Sequence, residues 1–260
     1  MGAALRRDVL LVEFLGLPGA GKSELSRRVA GRLRHLALPV HEPSYGLAHG
    51  IGVAARRARK SARVARELAL HPRSAARAAS VLARSGQPSL ACFGGVLFNW
   101  LLVTSLARKA RGRRGLHLID EGLAQGAWSI ALEGRLEPAV ELLACLPPAL
   151  VPDLLVVVEA STTAVAGRLR SRPQHDSRLD SRLDTEPELF RRGQAVAARI
   201  QSVLGASVEG GGAARVLVLG NERPEDLDAC AARLAALLES KARELGLLDG
   251  RALTVPGAPT

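Results

Sequence analysis

Residues 16–23 read Gly-Leu-Pro-Gly-Ala-Gly-Lys-Ser, and this octet constrains the chain more than any other segment. It matches the pattern G-x-x-x-x-G-K-[ST] in full. Before it lies Val9–Leu15, a continuous apolar run broken by one glutamate. After it lies Lys22–Leu36, where Leu25, Val29, Leu33 and Leu36 recur at helical spacing between arginines. Strand, glycine turn and amphipathic helix form the context in which such a turn holds phosphate. Glycines let successive backbone N–H groups converge on an anion without Cβ obstruction. The helix directs its positive end at the same point. Gly16, Pro18, Gly19, Ala20, Gly21, Lys22, Ser23 and the following Glu24 are therefore expected to surround a triphosphate, with Lys22 on its β- and γ-phosphates and the Ser23 hydroxyl on Mg²⁺.

The rest of the chain alternates in the same way. Short apolar runs at Leu38–His41, Leu116–Ile119, Leu154–Val158 and Val216–Leu219 read as further strands. Helical periodicity marks Gly50–Ser85 with a break at Pro72, and also Pro88–Ala107, Glu133–Leu146, Thr162–Arg172, Glu188–Leu204 and Pro224–Leu248. Strands alternating with helices imply a parallel sheet covered on both faces. The expected fold is a three-layer α/β/α P-loop NTPase with five parallel strands and a helical, basic insertion over residues 44–115. One domain is expected over 1–249, with a lid-like segment at 168–186 and a disordered tail at 250–260. Only 3% of the 260 residues are aromatic, so the core must be built from Leu, Val and Ala.

Three further groups of residues suggest chemistry. Leu116–Ile119 ends in Asp120-Glu121, the pattern in which a carboxylate at the C-terminal sheet edge holds Mg²⁺; Asp120 takes that role with Ser23. Glu121 could act as a base, touch substrate or sit in an ion pair. The arginines after the fourth strand, Arg168, Arg170 and Arg172, then Arg178 and Arg182, could close over a triphosphate, because a guanidinium grips phosphate with two parallel bonds. Glu42, after the second strand, could accept a proton from an acceptor hydroxyl.

The order of these features, with His41-Glu42-Pro43-Ser44 after the second strand, resembles the thymidylate kinase and deoxyribonucleoside kinase group of P-loop kinases. The stretch is similar to the Arg-Glu-Pro-Gly of thymidylate kinases and to the Glu-Pro of deoxynucleoside kinases, where the Glu is a catalytic base. The resemblance covers roughly residues 8–240. It implies ATP as phosphoryl donor, Mg²⁺, a nucleoside or nucleoside monophosphate as acceptor, and a pair of copies meeting through middle helices such as Phe93–Leu106. The chain departs from the group at the end of the third strand. Those families carry Asp-Arg or Glu-Arg there, whereas this chain has Asp120-Glu121-Gly122, which leaves the acceptor open.

Charge supplies a rival reading. The chain carries a formal charge of +11, and residues 51–115 hold fourteen Lys/Arg against one acid, Glu67. A basic surface attracts polyanions, nucleic acid among them. Aromatic platforms for stacking bases are nearly missing from that segment, so nucleic acid as a partner has no positive support. Cys92, Cys145 and Cys230 have no metal-ligand spacing, and three unpaired thiols fit a reducing cytoplasm. The first apolar run is too short for a leader peptide. The most apolar window, Ala91–Ala107, contains Asn99, Thr104 and Ser105 and is expected to be a buried core helix, not a membrane span. No Asn-Lys-x-Asp guanine motif and no Leu-Ser-Gly-Gly transporter signature occurs. Two classes stay open, a phosphotransferase acting on a small acceptor and a nucleotide-gated binder of polyanions, and the Glu-Pro turn favours the first.

Overall fold

The computed structural model describes residues 8–36, 38–48, 52–171, 187–206 and 214–248. The strands are β1 (Val9–Leu15), β2 (Val40–His41), β3 (Gly115–Ile119), β4 (Leu154–Glu159) and β5 (Arg215–Gly220). All pair in parallel, in the order β2-β3-β1-β4-β5. This is the parallel α/β architecture with five strands that the alternating runs imply. β1 is central and every one of its seven residues is buried, which is why it reads as a continuous apolar run and not an alternating one.

Side-chain alternation along the strands splits the core in two. Leu11, Leu15, Ile119, Leu155 and Val157 face one side. There they meet α5 (Leu90–Arg111), α6 (Leu123–Glu133), α7 (Leu136–Ala144) and α9 (Pro187–Ala206). Leu10, Val12, Phe14, Leu118 and Val156 face the other side. Their partners are on α1 (Lys22–Arg34) and α10 (Asp226–Glu244). The result is the expected sandwich of helices, sheet and helices. A third, smaller cluster joins α2 (Tyr45–Ala48), α3 (Val53–Leu70) and α4 (Pro72–Ala83) to α5 through Leu47, Val64, Ala75, Leu101, Leu102 and Leu106.

The break expected at Pro72 is real, with proline at the start of α4, where its missing N–H costs nothing. Three other expectations need correction. β2 spans only two residues, because it is an edge strand paired on one side with β3. α5 does not stop at Ala107 but runs through Arg108, Lys109 and Arg111, cations that suit the negative end of a helix. Residues 123–133 form a whole helix, α6, that helical periodicity does not reveal. The expected helix Glu133–Leu146 is only α7, separated from α6 by Gly134. α6 has eight buried residues including Leu123, Trp128 and Ile130, and only Gln125, Ser129 and Glu133 form a half-exposed polar stripe, one residue wide and too narrow to stand out as an amphipathic pattern.

α5 is long and apolar enough by composition to cross a membrane, and 44% of its most apolar window is buried inside the fold. Residues from Trp100 to Ala110 supply most of that burial, whereas Leu90 at its start is exposed. Between α8 (Thr162–Arg170) and α9, the lid-like segment falls almost entirely outside the described residues, as does the tail 250–260.

Candidate active site

The glycine octet joins the C-terminal end of β1 to the start of α1. Gly19 and Gly21 hold φ of 85° and 103°, backbone states that L side chains rarely adopt. A Cβ at Gly21 would lie 2.3 Å from the Asn221 amide nitrogen, and one at Gly16 would lie 2.4 Å from the Val158 carbonyl oxygen. The turn therefore needs glycine for conformation at some positions and for space at others. Its outer end is the first turn of α1, where backbone N–H groups lack intrahelical carbonyls. These features fit a bound polyphosphate.

Lys22 is buried, and its Nζ donates to the carbonyls of Gly16 at 2.6 Å and Leu17 at 3.0 Å. The ammonium thus lies across the mouth of the turn. Ser23 is exposed at the helix start. Asp120 follows directly on β3 and is half-buried. Because Glu13 pairs in register with Ile119, Asp120 stands one step further along, beside Phe14, at the sheet edge where β1 turns into the octet. Glu121 next to it is exposed. Among the described residues, no cluster of three or more His, Cys, Asp or Glu could hold a metal ion alone. Mg²⁺ takes one or two protein oxygens and completes its shell with phosphate and water. Ser23 and Asp120 are the residues that would hold it. Pro18 and Ala20 shape the turn, with Ala20 N–H donating to the Leu17 carbonyl at 3.0 Å. Glu24 points away from phosphate chemistry: it pairs with Arg27 and Arg28, and Arg28 also pairs with Asp228 of α10.

Arg168 reaches the turn as a bracket. Its guanidinium donates to the carbonyls of Asn221 at 2.9 Å, Glu222 at 3.1 Å and, more weakly, Gly19 at 3.5 Å. Arg172 lies outside the described residues. Glu42 is not brought to the octet. Its carboxylate is ion-paired with Arg34, the last residue of α1. A helix rises about 1.5 Å per residue, so Arg34 lies roughly 18 Å along the axis from Lys22. In register Glu42 stands level with Leu118, two residues before Asp120, with its carboxylate held by Arg34.

Three residues at the site escaped the sequence reading. Asn221, buried at the end of β5, donates to the Ala20 carbonyl at 2.6 Å. Gln125 on α6 accepts from the Gly16 N–H at 3.4 Å. Glu13 lies fully buried within β1, and its carboxylate accepts from the Ala124 N–H at 3.0 Å in the first turn of α6. Its other oxygen, Oε1, has no hydrogen-bond partner. Burial pushes its pKa from 4.5 up to about 7, against the lowering effect of the Ala124 and Leu123 N–H groups and of Arg111. A lone acid inside an otherwise apolar central strand is the signal that could have found it.

A hollow of about 390 Å³ adjoins the octet on the α9 side. It is bordered by Gly16, Leu17, Ser161, Gln194, Gln201 and Glu222. Its size falls in the range of small-molecule pockets, and it offers amide, hydroxyl and carboxylate groups next to the phosphate turn.

No protein-family model matches the chain, and no curated protein matches it in sequence. Among solved structures it is similar to thymidylate kinase from Ehrlichia chaffeensis, at 11% identity and a TM-score of 0.46, covering 88% of this chain and 98% of that one. It is also similar to shikimate kinase from Acinetobacter baumannii in complex with shikimate, at 14% identity and a TM-score of 0.43, covering 90% and 96%.

Proposed function

We propose that the protein is an ATP-dependent phosphotransferase that moves the γ-phosphoryl group of ATP to a small acceptor, a nucleoside or nucleoside monophosphate by chemical class. The observation that carries this reading is the buried Lys22 lying across a complete phosphate turn at the C-terminal edge of a parallel sheet. Gly16–Ser23 would cradle the triphosphate, and Lys22 would exchange its carbonyl partners for β- and γ-oxygens. Ser23 and Asp120 would hold Mg²⁺, which supplies charge neutralisation on the transferred group. Arg168 and Asn221 hold the back of the turn. Glu121, exposed next to Asp120, would orient an acceptor hydroxyl. The hollow bounded by Gln194 and Gln201 would take the part of a ligand that lies beyond its phosphates. Catalysis in such a site rests on positioning and on stabilising charge in the transition state.

The test is ADP release from ATP and Mg²⁺ across nucleosides, nucleoside monophosphates, phosphorylated sugars and short oligonucleotides, with Lys22→Ala as blank. Stimulation by one acceptor class that vanishes in Lys22→Ala supports the reading. Tight ATP binding without stimulation by any acceptor would overturn it in favour of a nucleotide-gated binding protein.

A further inference from the structure

A second charged feature lies far from the octet. The end of α5 that carries Lys109 leads into the first residue of β3, whereas the octet follows the last residue of β1. The two strands are parallel, so these points sit at opposite edges of the sheet. Seven strand residues separate the edges by roughly 20 Å.

Two hollows of about 500 and 460 Å³ share a border along the β2 side of the sheet, from this far edge to the level of Pro43. They share Arg59, Arg63 and Lys109; Arg66 borders one and Arg113 the other. With Arg108, which also borders the first hollow, six cations line one depression, and five of them are free of the Glu67 pair. Only two carboxylates border it, and both are already engaged: Glu67 with Arg108 at 2.9 Å and Glu42 with Arg34. Among the described residues, none of the five cations is in an ion pair. Their mutual repulsion registers in the titration of the cluster. Arg63 and Arg66 pull the Lys109 ammonium below its ordinary range, with burial and Arg113 adding to the effect. Burial and Arg66 do the same to Arg63. Like charges gathered in a partly buried hollow are destabilising unless an anion joins them.

We propose that this depression is a second anion site, which takes a small molecule carrying two or more phosphoryl groups. The form of the site favours a small ligand over a nucleic-acid strand. The cations line a concavity with Leu47, Ala62 and Leu70 among them. No Phe, Tyr or Trp lines either hollow to stack a base; the rings there are His71, His41 and His117, the last two tilted against each other. Guanidinium groups at several angles around a hollow of this size match phosphate oxygens through paired hydrogen bonds. The inference does not depend on the phosphotransferase reading, because none of its residues belongs to the octet.

The experiment is calorimetric titration of inorganic tripolyphosphate into full-length Lys22→Ala protein, in which the octet is disabled. Binding is expected to persist, and to weaken about tenfold or more when Arg63→Gln and Lys109→Gln are added. Lys109 is exposed, so Lys109→Gln alone gives the same test with folding checked by circular dichroism. Unchanged affinity in these variants, or no binding once Lys22 is replaced, would overturn the proposal. A short oligonucleotide or phosphatidylserine vesicles that bind more tightly than tripolyphosphate, and lose that advantage in the same variants, would overturn the assignment to a small ligand.

Discussion

The Glu13 carboxyl group lies directly against Gly122: a Cβ at Gly122 would come within 2.3 Å of Glu13 Cδ and 2.6 Å of both its oxygens. One buried acid on β1 thus sets the turn that follows Asp120-Glu121 and starts α6. Gly122→Ala should force that turn away from β1. The cost is expected to be about 1–3 kcal/mol, the range for overpacking a filled site. Chemical denaturation checks the stability. Loss of Mg²⁺-dependent ATP affinity in the same variant would show that the position of Asp120 moves with the turn.

Glu13 should also give the protein a distinctive pH dependence. The unfolded chain releases its proton near 4.5, while the fold holds it to about 7. Between those values the folded state binds more protons than the unfolded state. Its contribution to stability is therefore present below pH 4.5 and is lost as pH rises to 7. A shift of this size corresponds to an order of 3 kcal/mol. His117 works in the opposite direction. Burial holds its pKa near 4 instead of 6.5, which removes stability as pH falls through that window. The two effects oppose each other between 4.5 and 6.5, so wild type alone conceals them. The difference between wild type and Glu13→Gln, measured by denaturant titration at pH 5 and pH 7.5, isolates the glutamate. Equal differences at the two pH values would remove it as the source.

Glu42→Gln is expected to leave kcat within about twofold. The substitution weakens a pair in which Arg34 is exposed and the Glu42 carboxyl is nearly buried, while the amide keeps an oxygen for the guanidinium, a loss of about 1 kcal/mol. A small fall in Tm with unchanged turnover fits this position. A hundredfold fall in kcat, the size expected for loss of a general base, would return Glu42 to the reaction.

Arg168→Lys should behave nearly like Arg168→Ala. The guanidinium spans carbonyls of Gly19, Asn221 and Glu222, and an ammonium point charge cannot reach all three from one place. Both variants are expected to weaken ATP binding about tenfold, because hydrogen bonds from a charged donor are each worth about 1.5–3 kcal/mol. Full rescue by Lys would show that charge alone matters there.

Legibility in the sequence followed the reach of each signal. The octet and the five strands were visible because short apolar runs and glycine spacing are local. The extension of α5 and the existence of α6 were not visible. The first rests on cations at a helix end, and the second on a helix whose polar face is only one residue wide. Glu42 read as a site residue because a dipeptide carries no information about its partner; Arg34, eight residues earlier, claims it only after α1 and β2 are packed together. Asn221 and Gln125 approach the turn across 201 and 109 residues of chain. No local pattern in the sequence could announce such contacts.

The two carbonyl bonds of Lys22 bear on how affinity should be read. A phosphate that reaches this ammonium performs a swap, displacing Gly16 and Leu17 oxygens from their donor. The measured benefit of Lys22 to binding is then a net exchange between a charge–dipole and a charge–charge contact, smaller than the strength of the new contact. In Lys22→Ala the two carbonyls lose their donor at the same moment as the ligand does. Ground-state affinity will therefore understate the lysine, and the rate of group transfer is the quantity in which its full effect emerges.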